Sequence, residues 1–317
     1  MRTLLQFDSL AQTALPSSPL HLAIGMFDGV HLGHQSVIEA ARHSARAGGG
    51  RAGVLTFWPH PSALFRPENP TRLLMPPAMK RTVLGRLGVD CLIEENFTRE
   101  FAGIEARDFL AYLQRRLPSL TAVYVGENWR FGRGRSGDVA LLIAEARKIG
   151  LTVFSAPRLN HNGAPISSSR IRELLTAGEI AAANALLGYA YFTAGVVQAG
   201  RQLGRTLGFP TLNIAWEPEL KPRYGVYAVT VTLPAGGVVE GVANYGLRPT
   251  VGESTTPLLE VHLWGEAAAA TGDFLTVNWL HFLRPESKFN DVEALRAQIT
   301  VDRENARDFF QKKRGTA

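Results

Sequence analysis

Short apolar runs alternate with stretches of helical period through the first half of this chain, and the alternation stops near residue 187, after which β-rich runs follow one another through Gly/Pro turns. The first pattern is that of strands crossing over through helices into a mainly parallel sheet, and the second that of a small β barrel or sandwich. Strands are predicted at 20–25, 53–57, 89–93, 122–126 and 151–155, with helical stretches near 34–47, 77–87, 105–117 and 137–149. Gly48-Gly49-Gly50 and Gly150 stop two of these helices. In the second half the β-rich runs are 191–198, 224–233, 238–244, 258–264 and 275–283. A helix over 291–311 closes that half, with Val292, Leu295, Ile299, Ala306 and Phe309 on about one face. An Ala-rich helical stretch, 169–187, joins the two, so the expected domains are 1–184 and 185–317. A length of 317 residues accommodates both.

Charge separates the halves further. Residues 1–184 hold 21 Lys+Arg against 15 Asp+Glu, whereas 185–317 hold 13 of each, so the whole net charge of +6 lies in the first half. Such an excess suits nucleic acid, a membrane surface or phosphorylated small molecules. The densest cluster, Arg130, Arg133 and Arg135, sits in one glycine-rich loop and makes no stripe with interleaved aromatics, so no nucleic-acid partner is expected. One cysteine, Cys91, excludes an internal disulfide, and paired Cys/His metal spacings are absent. No apolar run approaches ~18 residues. Neither a signal peptide nor a membrane span is expected, and a reducing cytoplasm fits.

The chemistry concentrates at loops after strands. Gly25-Met26-Phe27-Asp28-Gly29-Val30-His31-Leu32-Gly33-His34 leads from the first strand into a helix. Small residues there let backbone amides and the helix N-terminus approach a phosphate, and two imidazoles three apart can donate hydrogen bonds where negative charge grows. Ile166-Ser167-Ser168-Ser169-Arg170-Ile171-Arg172 opens a later helix with hydroxyls, free amides and guanidinium groups suited to further phosphates. Phe57-Trp58-Pro59 ends a strand with a surface for a flat ring, and Asn128, in Gly126-Glu127-Asn128-Trp129, can bond a ring edge. In the second half Gly200, Gly204 and Gly208 space a loop that runs into Pro210-Thr211-Leu212-Asn213, whose hydroxyl and amide oxygen point to one side of a strand and suit the Mg²⁺ of a nucleotide. Glu260 and His262 share a face of another strand, where a carboxylate can act as general base toward a hydroxyl. Arg248, in the turn after a further β-rich run, offers a cation to anionic ligands.

This ordered set resembles the bacterial bifunctional riboflavin kinase/FMN adenylyltransferase family, the prokaryotic FAD synthetases, over about residues 18 to 311. The resemblance rests on IGMFDGVHLGHQ, TFWPHP, VGENWRFG and ISSSRIRELL, then on GRTLGFPTLN, GVYAV, GVANYGLRPT, EVHL and LRPESKF. It implies a Rossmann-like nucleotidyltransferase domain with a parallel sheet, followed by a small antiparallel β barrel closed by a helix. It also implies two reactions: ATP phosphorylates riboflavin to FMN, and a second ATP adenylylates FMN to FAD with release of pyrophosphate. The implied catalytic residues are Glu260 for the kinase and His31 with His34 for the adenylyltransferase. Gly25, Phe27, Asp28, Gly29, Gly33, Ser168, Ser169 and Arg172 would hold the adenylylating ATP, and Phe57, Pro59 and Asn128 the flavin. Gly200, Gly204, Gly208, Thr211 and Asn213 would hold the kinase ATP, with Thr211 and Asn213 on Mg²⁺. Two departures are modest, Met26 for the family's frequent Asn and Trp129 for its common Phe. A larger one spans 264–273, where an acidic loop ending in Leu-Tyr-Gly is replaced by Trp-Gly-Glu-Ala-Ala-Ala-Ala-Thr-Gly-Asp. The alternative this leaves is a monofunctional FMN adenylyltransferase with an impaired, flavin-binding barrel.

Overall fold

The structure is a computed structural model that describes residues 4–200, 208–247, 257–265 and 269–315. It divides into two compact units, Met1–Ser168 and Ser169–Ala317.

In the first unit, strands β1 (Leu5–Phe7), β2 (Leu20–Ile24), β3 (Arg51–Trp58), β4 (Cys91–Asn96), β5 (Leu120–Gly126) and β6 (Thr152–Ala156) form one sheet in the order β1-β4-β3-β2-β5-β6. Every neighbouring pair is parallel. The crossovers carry α1 (Leu32–Ala47), α2 (Pro61–Phe65), α3 (Pro77–Arg86), α4 (Arg99–Ala102), α5 (Phe109–Arg116) and α6 (Val139–Lys148), and a separate two-stranded sheet of β7 (Asn160–His161) and β8 (Ala164–Pro165) follows β6. A sheet flanked on both faces reads as apolar runs, and six consecutive residues of β3, Ala52–Phe57, are buried. The predicted strands are all present, and β1 is an addition. It is three residues long at the sheet edge, too short and too exposed to carry a period. The chain steps from β2 to β3 and β4 on one side and later adds β5 and β6 on the other. The order therefore reverses between β2 and β5, and the loops after those two strands flank the place where open α/β sheets bind ligands.

The second unit takes up the joining helical stretch, which is two helices, α7 (Ser168–Ala177) and α8 (Ile180–Leu187). They break at Gly178, whose φ of 85° is the left-handed conformation that glycine adopts without a side-chain clash. Strands β9 (Phe192–Gln198), β10 (Leu212–Ile214), β11 (Gly225–Thr232), β12 (Val238–Leu247), β13 (Pro257–Leu263) and β14 (Phe274–Pro285) form a closed antiparallel barrel in the order β10-β13-β12-β11-β14-β9. Tyr227, Tyr245 and Trp279 meet ring to ring and fill the barrel. Alternate residues Val226, Ala228 and Val242 lie on the outer face, under Ala306 and Phe310 of the closing helix α9 (Val292–Gly315).

The buried stripe of α9 differs from the predicted one. Val292 is exposed and Leu295, Ile299 and Phe309 are only half-buried, whereas Asp302, Ala306 and Phe310, four apart, are buried. An aspartate occupies a core position because Arg284 grips it through two hydrogen bonds of 2.7 Å, with Gln298 adding a third at 2.9 Å. Counting apolar residues cannot detect a stripe whose first member is charged.

Candidate functional site

In the first unit the turn after β2 is shaped by conformations that few side chains tolerate. Phe27, Gly29 and Val30 have φ of 49°, 78° and 37°, and left-handed backbone at two non-glycine residues costs about 1–3 kcal/mol each. The surrounding contacts hold it in place. The Asp28 carboxylate is buried and accepts from the Leu74 N–H at 3.0 Å, and the Asp28 carbonyl accepts from the Ser168 hydroxyl at 2.8 Å. His31 is the N-cap of α1, its Nδ1 accepting from the His34 N–H at 3.3 Å. A neutral His31 whose Nδ1 accepts carries its proton on Nε2. The two imidazoles stack with centroids 3.6 Å apart and planes 16° from parallel, and the Phe27 ring meets His34 edge-on at 5.4 Å. A side chain would crowd this stack at two glycine positions. A Cβ at Gly25 would come within 3.1 Å of the Phe27 ring, and one at Gly33 within 3.2 Å of His31. Burial, then the neighbouring His31 and Lys80, hold the His34 pKa well below its ordinary 6.5, so this ring is neutral at pH 7.

Beside the turn lies a cavity of about 730 Å³, within the range that takes a drug-sized ligand. Gly25, Phe57 and Asn128 line it, as do the aromatics Phe97, Phe101 and Trp129. Trp129 stacks on Phe131 at 4.6 Å, and Phe57 packs on Phe101 at 5.3 Å, so one wall is a continuous aromatic surface. Arg66, Arg130 and Arg135 add cations to the lining. Pro59, joined to Trp58 by a cis peptide bond, is outside the lining set. Ser168, Ser169 and Arg172 all fall in the first turns of α7, and the division between the units runs between the two serines.

The sequence assigns no role to two buried residues at this site, Thr56, which opens TFWPHP, and Lys80, which lies in no motif. Thr56, near the end of β3, donates its hydroxyl to the Met26 carbonyl at 3.0 Å, and Lys80 of α3 donates to Thr56 Oγ1 at 3.0 Å. The only signal available was that Lys80 is one of two lysines among 21 cations.

In the second unit the strand register brings the expected residues into one row. Glu260 of β13 lies opposite Asn213 of β10 on one side and Asn244 of β12 on the other. Opposite residues share a face, so the carboxylate sits between two amides on the outer face of the barrel. It is half-buried there. Thr211 directly precedes β10. Gly200 lies against Asn213 so closely that a Cβ would overlap the amide. His262 donates its Nδ1–H to the Pro210 carbonyl at 2.9 Å and meets Phe209 and Trp264 edge-on at 5.6 and 5.7 Å. Arg303 and Arg307 of α9 lie over Phe209 and Trp264 at 5.4 and 5.3 Å. Gly208 is described, with φ of 84°, whereas Gly204, Arg248 and residues 266–268 lie outside the described residues. Among the described residues no group of three or more His, Cys, Asp or Glu forms a metal cage. Thr211 and Asn213 offer oxygen donors alone, which suits a Mg²⁺ that takes most of its ligands from substrate phosphates and water.

The FAD synthetase family model matches residues 16–170 and the riboflavin kinase model residues 187–310. The bifunctional riboflavin kinase/FMN adenylyltransferase of Escherichia coli K12 is 35% identical over 93% of this chain and 94% of its own. That of Haemophilus influenzae is 37% identical over 91% and 94%, and that of Bacillus subtilis 35% over 92% and 93%. A crystal structure described as a macrolide-efflux protein of Streptococcus pneumoniae superposes with a TM-score of 0.86, at 27% identity, over 96% of this chain and 98% of that one. Among the described residues of the present chain, no helix is long and apolar enough to cross a membrane.

Proposed function

The chain belongs to the bifunctional riboflavin kinase/FMN adenylyltransferase family, and from that membership we propose which residues carry each half of the chemistry. It phosphorylates riboflavin to FMN and adenylylates FMN to FAD. We assign the second reaction to residues 1–184 and the first to 185–317. The observation that carries the assignment is that each half contains one complete polar constellation, the stacked His31–His34 pair in one and the Asn213–Glu260–Asn244 row in the other.

In adenylyl transfer a phosphate oxygen of FMN attacks the α-phosphorus of ATP, and the bond to the departing pyrophosphate breaks. The nucleophile is already anionic, so no base is required, and catalysis consists of orientation and stabilisation of the charge on the α-phosphate oxygens. His31 Nε2–H and the neutral His34 ring supply hydrogen bonds to those oxygens. Gly25, Phe27, Gly29 and Gly33 shape the turn that admits the nucleotide, and Asp28 braces it. Ser168, Ser169 and Arg172 hold the β- and γ-phosphates at the start of α7. The aromatic wall with Phe57 and Asn128 takes the isoalloxazine ring, and Pro59 shapes the loop behind it.

In phosphorylation Glu260 accepts the proton of the ribityl 5′-hydroxyl as its oxygen attacks the γ-phosphorus of ATP, and the bond from that phosphorus to the departing ADP breaks. Gly200, Gly204 and Gly208 are assigned to the ATP phosphates. Thr211 and Asn213 would hold Mg²⁺, which when bound neutralises phosphate charge. Asn244 and Asn213 flank Glu260 in the strand register. A cytoplasmic setting follows from the ATP supply both reactions need, and the buried Cys91 thiol, whose pKa burial pushes up to about 12, is inert there.

The test is a chromatographic time course of the purified chain with riboflavin, ATP and Mg²⁺. FMN should appear first and FAD follow. Conversion of supplied FMN to FAD with riboflavin unchanged would remove the kinase assignment and its residues.

A further inference from the structure

We infer that Lys80 is a positioning residue of adenylyl transfer, its buried ammonium group fixing the turn that carries His31 and His34. The inference rests on the reading of that histidine pair as the adenylyl-transfer centre.

Lys80 is 6% exposed, in a half of the chain where 19 of 21 cations are arginine. The other lysine there, Lys148, has an exposed side chain, paired with Glu145 at 2.8 Å. Burying an ammonium group is costly unless hydrogen bonds and opposite charge replace water. Here its Nζ donates to Thr56 Oγ1 at 3.0 Å and reaches the Met26 carbonyl at 3.5 Å, while the Thr56 hydroxyl donates to the same carbonyl at 3.0 Å. Three segments, the residues after β2, the end of β3 and α3, are thereby tied to one carbonyl. That carbonyl belongs to the residue immediately before the strained Phe27–Val30 turn.

The charges around Lys80 have a consistent arrangement. Glu94, the register neighbour of Thr56 on β4, is 7% exposed and shared with Arg81, while its Oε1 has no hydrogen-bond partner. Burial lowers the Lys80 pKa, whereas Glu94 and then Asp28 raise it, and Arg81 opposes them. The two carboxylates thus favour the charged form inside the fold. On the other side the cation acts on His34, whose proton affinity is lowered first by burial, then by His31 and then by Lys80. The groups that bear on His34 from its surroundings are therefore His31 of the same helix turn, Lys80 of α3 and, through Lys80, Asp28 and Glu94. An uncharged side chain at position 80 can fill the space but cannot supply this field.

The experiment uses the full chain and measures FAD formation from FMN and ATP against pH for Lys80→Met, Lys80→Gln and Lys80→Arg, with His31→Ala alongside. Lys80→Met and Lys80→Gln are expected to lower kcat at least tenfold while riboflavin phosphorylation stays within twofold of the parent chain. The acid limb of the kcat profile should move to higher pH, because His34 released from the cation takes up a proton more readily. Lys80→Arg should keep the parent acid limb and recover much of kcat. Lys80→Gln retains a hydrogen-bond donor without the charge and gives the reading if Lys80→Met does not fold. An unchanged kcat, or a fall in kcat with an unmoved acid limb in Lys80→Gln, would overturn the inference. Undiminished FAD formation by His31→Ala would overturn the reading of the histidine pair instead.

Discussion

At the scale of single residues, Gly200 has the least freedom of the site positions in the second unit. A methyl group there overlaps the Asn213 amide, and Asn213 is itself the register partner of Glu260. Gly200→Ala must displace either the loop or the amide, and both stand where Mg²⁺ and ATP are assigned. Its FMN formation should fall by tenfold or more, with FAD formation from supplied FMN unchanged, in paired assays of one preparation. His34 gives a second prediction through linkage. The folded state holds this imidazole neutral, and unfolding returns it to its ordinary pKa of 6.5. Below that pH the unfolded chain binds a proton that the folded one refuses, so stability falls as pH drops, by about 1.4 kcal/mol per pH unit until the folded-state pKa is reached. Thermal unfolding of the first unit between pH 7 and 5 should show this loss, and His34→Asn should flatten it. The histidines and glycines were legible because spacing within one short segment encodes their geometry. Thr56, Lys80 and Asn244 were not legible as site residues, since each reaches its partners across strands or from a separate helix, and no local spacing records a contact made only by folding.

At the scale of elements, α9 is seated by a charge as much as by apolar packing. Asp302 and Arg284 are mutually bidentate and largely buried, and α9 covers β11 and β12 through Ala306 and Phe310 one and two turns farther on. Removing one member leaves the other desolvated without compensation, a loss of about 3–5 kcal/mol in comparable buried pairs. Asp302→Ala should therefore lower the urea midpoint of the second unit strongly. The pair Asp302→Leu with Arg284→Met should recover most of it, because an apolar pair of similar size avoids the desolvation. FAD formation from FMN should persist in both. The existence of α9 was legible from its period, but its buried stripe was not, because burial of Asp302 depends on an arginine from β14. The joining stretch shows the same limit: its residues favour helix throughout, and only the left-handed Gly178 separates α7 from α8. A Cβ at Gly178 would also meet the Arg223 side chain at 3.0 Å. The closed barrel, as opposed to a sandwich, is decided by the β9–β10 pairing, made by a three-residue strand that the period could not resolve.

At the scale of the whole molecule, the division of charge parallels the division of chemistry. The half with six excess positive charges is the one assigned two anionic substrates, FMN and ATP, and the balanced half the one assigned uncharged riboflavin with its ATP. FMN is the product of one half and the nucleophile of the other, and each half has its own complete set of polar residues. Each reaction should then survive loss of the other. Glu260→Ala is expected to stop FMN formation and to leave FAD formation from supplied FMN intact, and His31→Ala to do the reverse. Neither variant alone should convert riboflavin to FAD. Mixed together, they should do so, because FMN released by the His31→Ala chain is an ordinary substrate for the Glu260→Ala chain. The mixture should show a lag before FAD appears, since FMN must first accumulate in bulk solution, and the lag should shorten as the His31→Ala chain is increased. Absence of FAD from the mixture, with the Glu260→Ala chain still converting supplied FMN, would mean that the His31→Ala chain retains the FMN it makes.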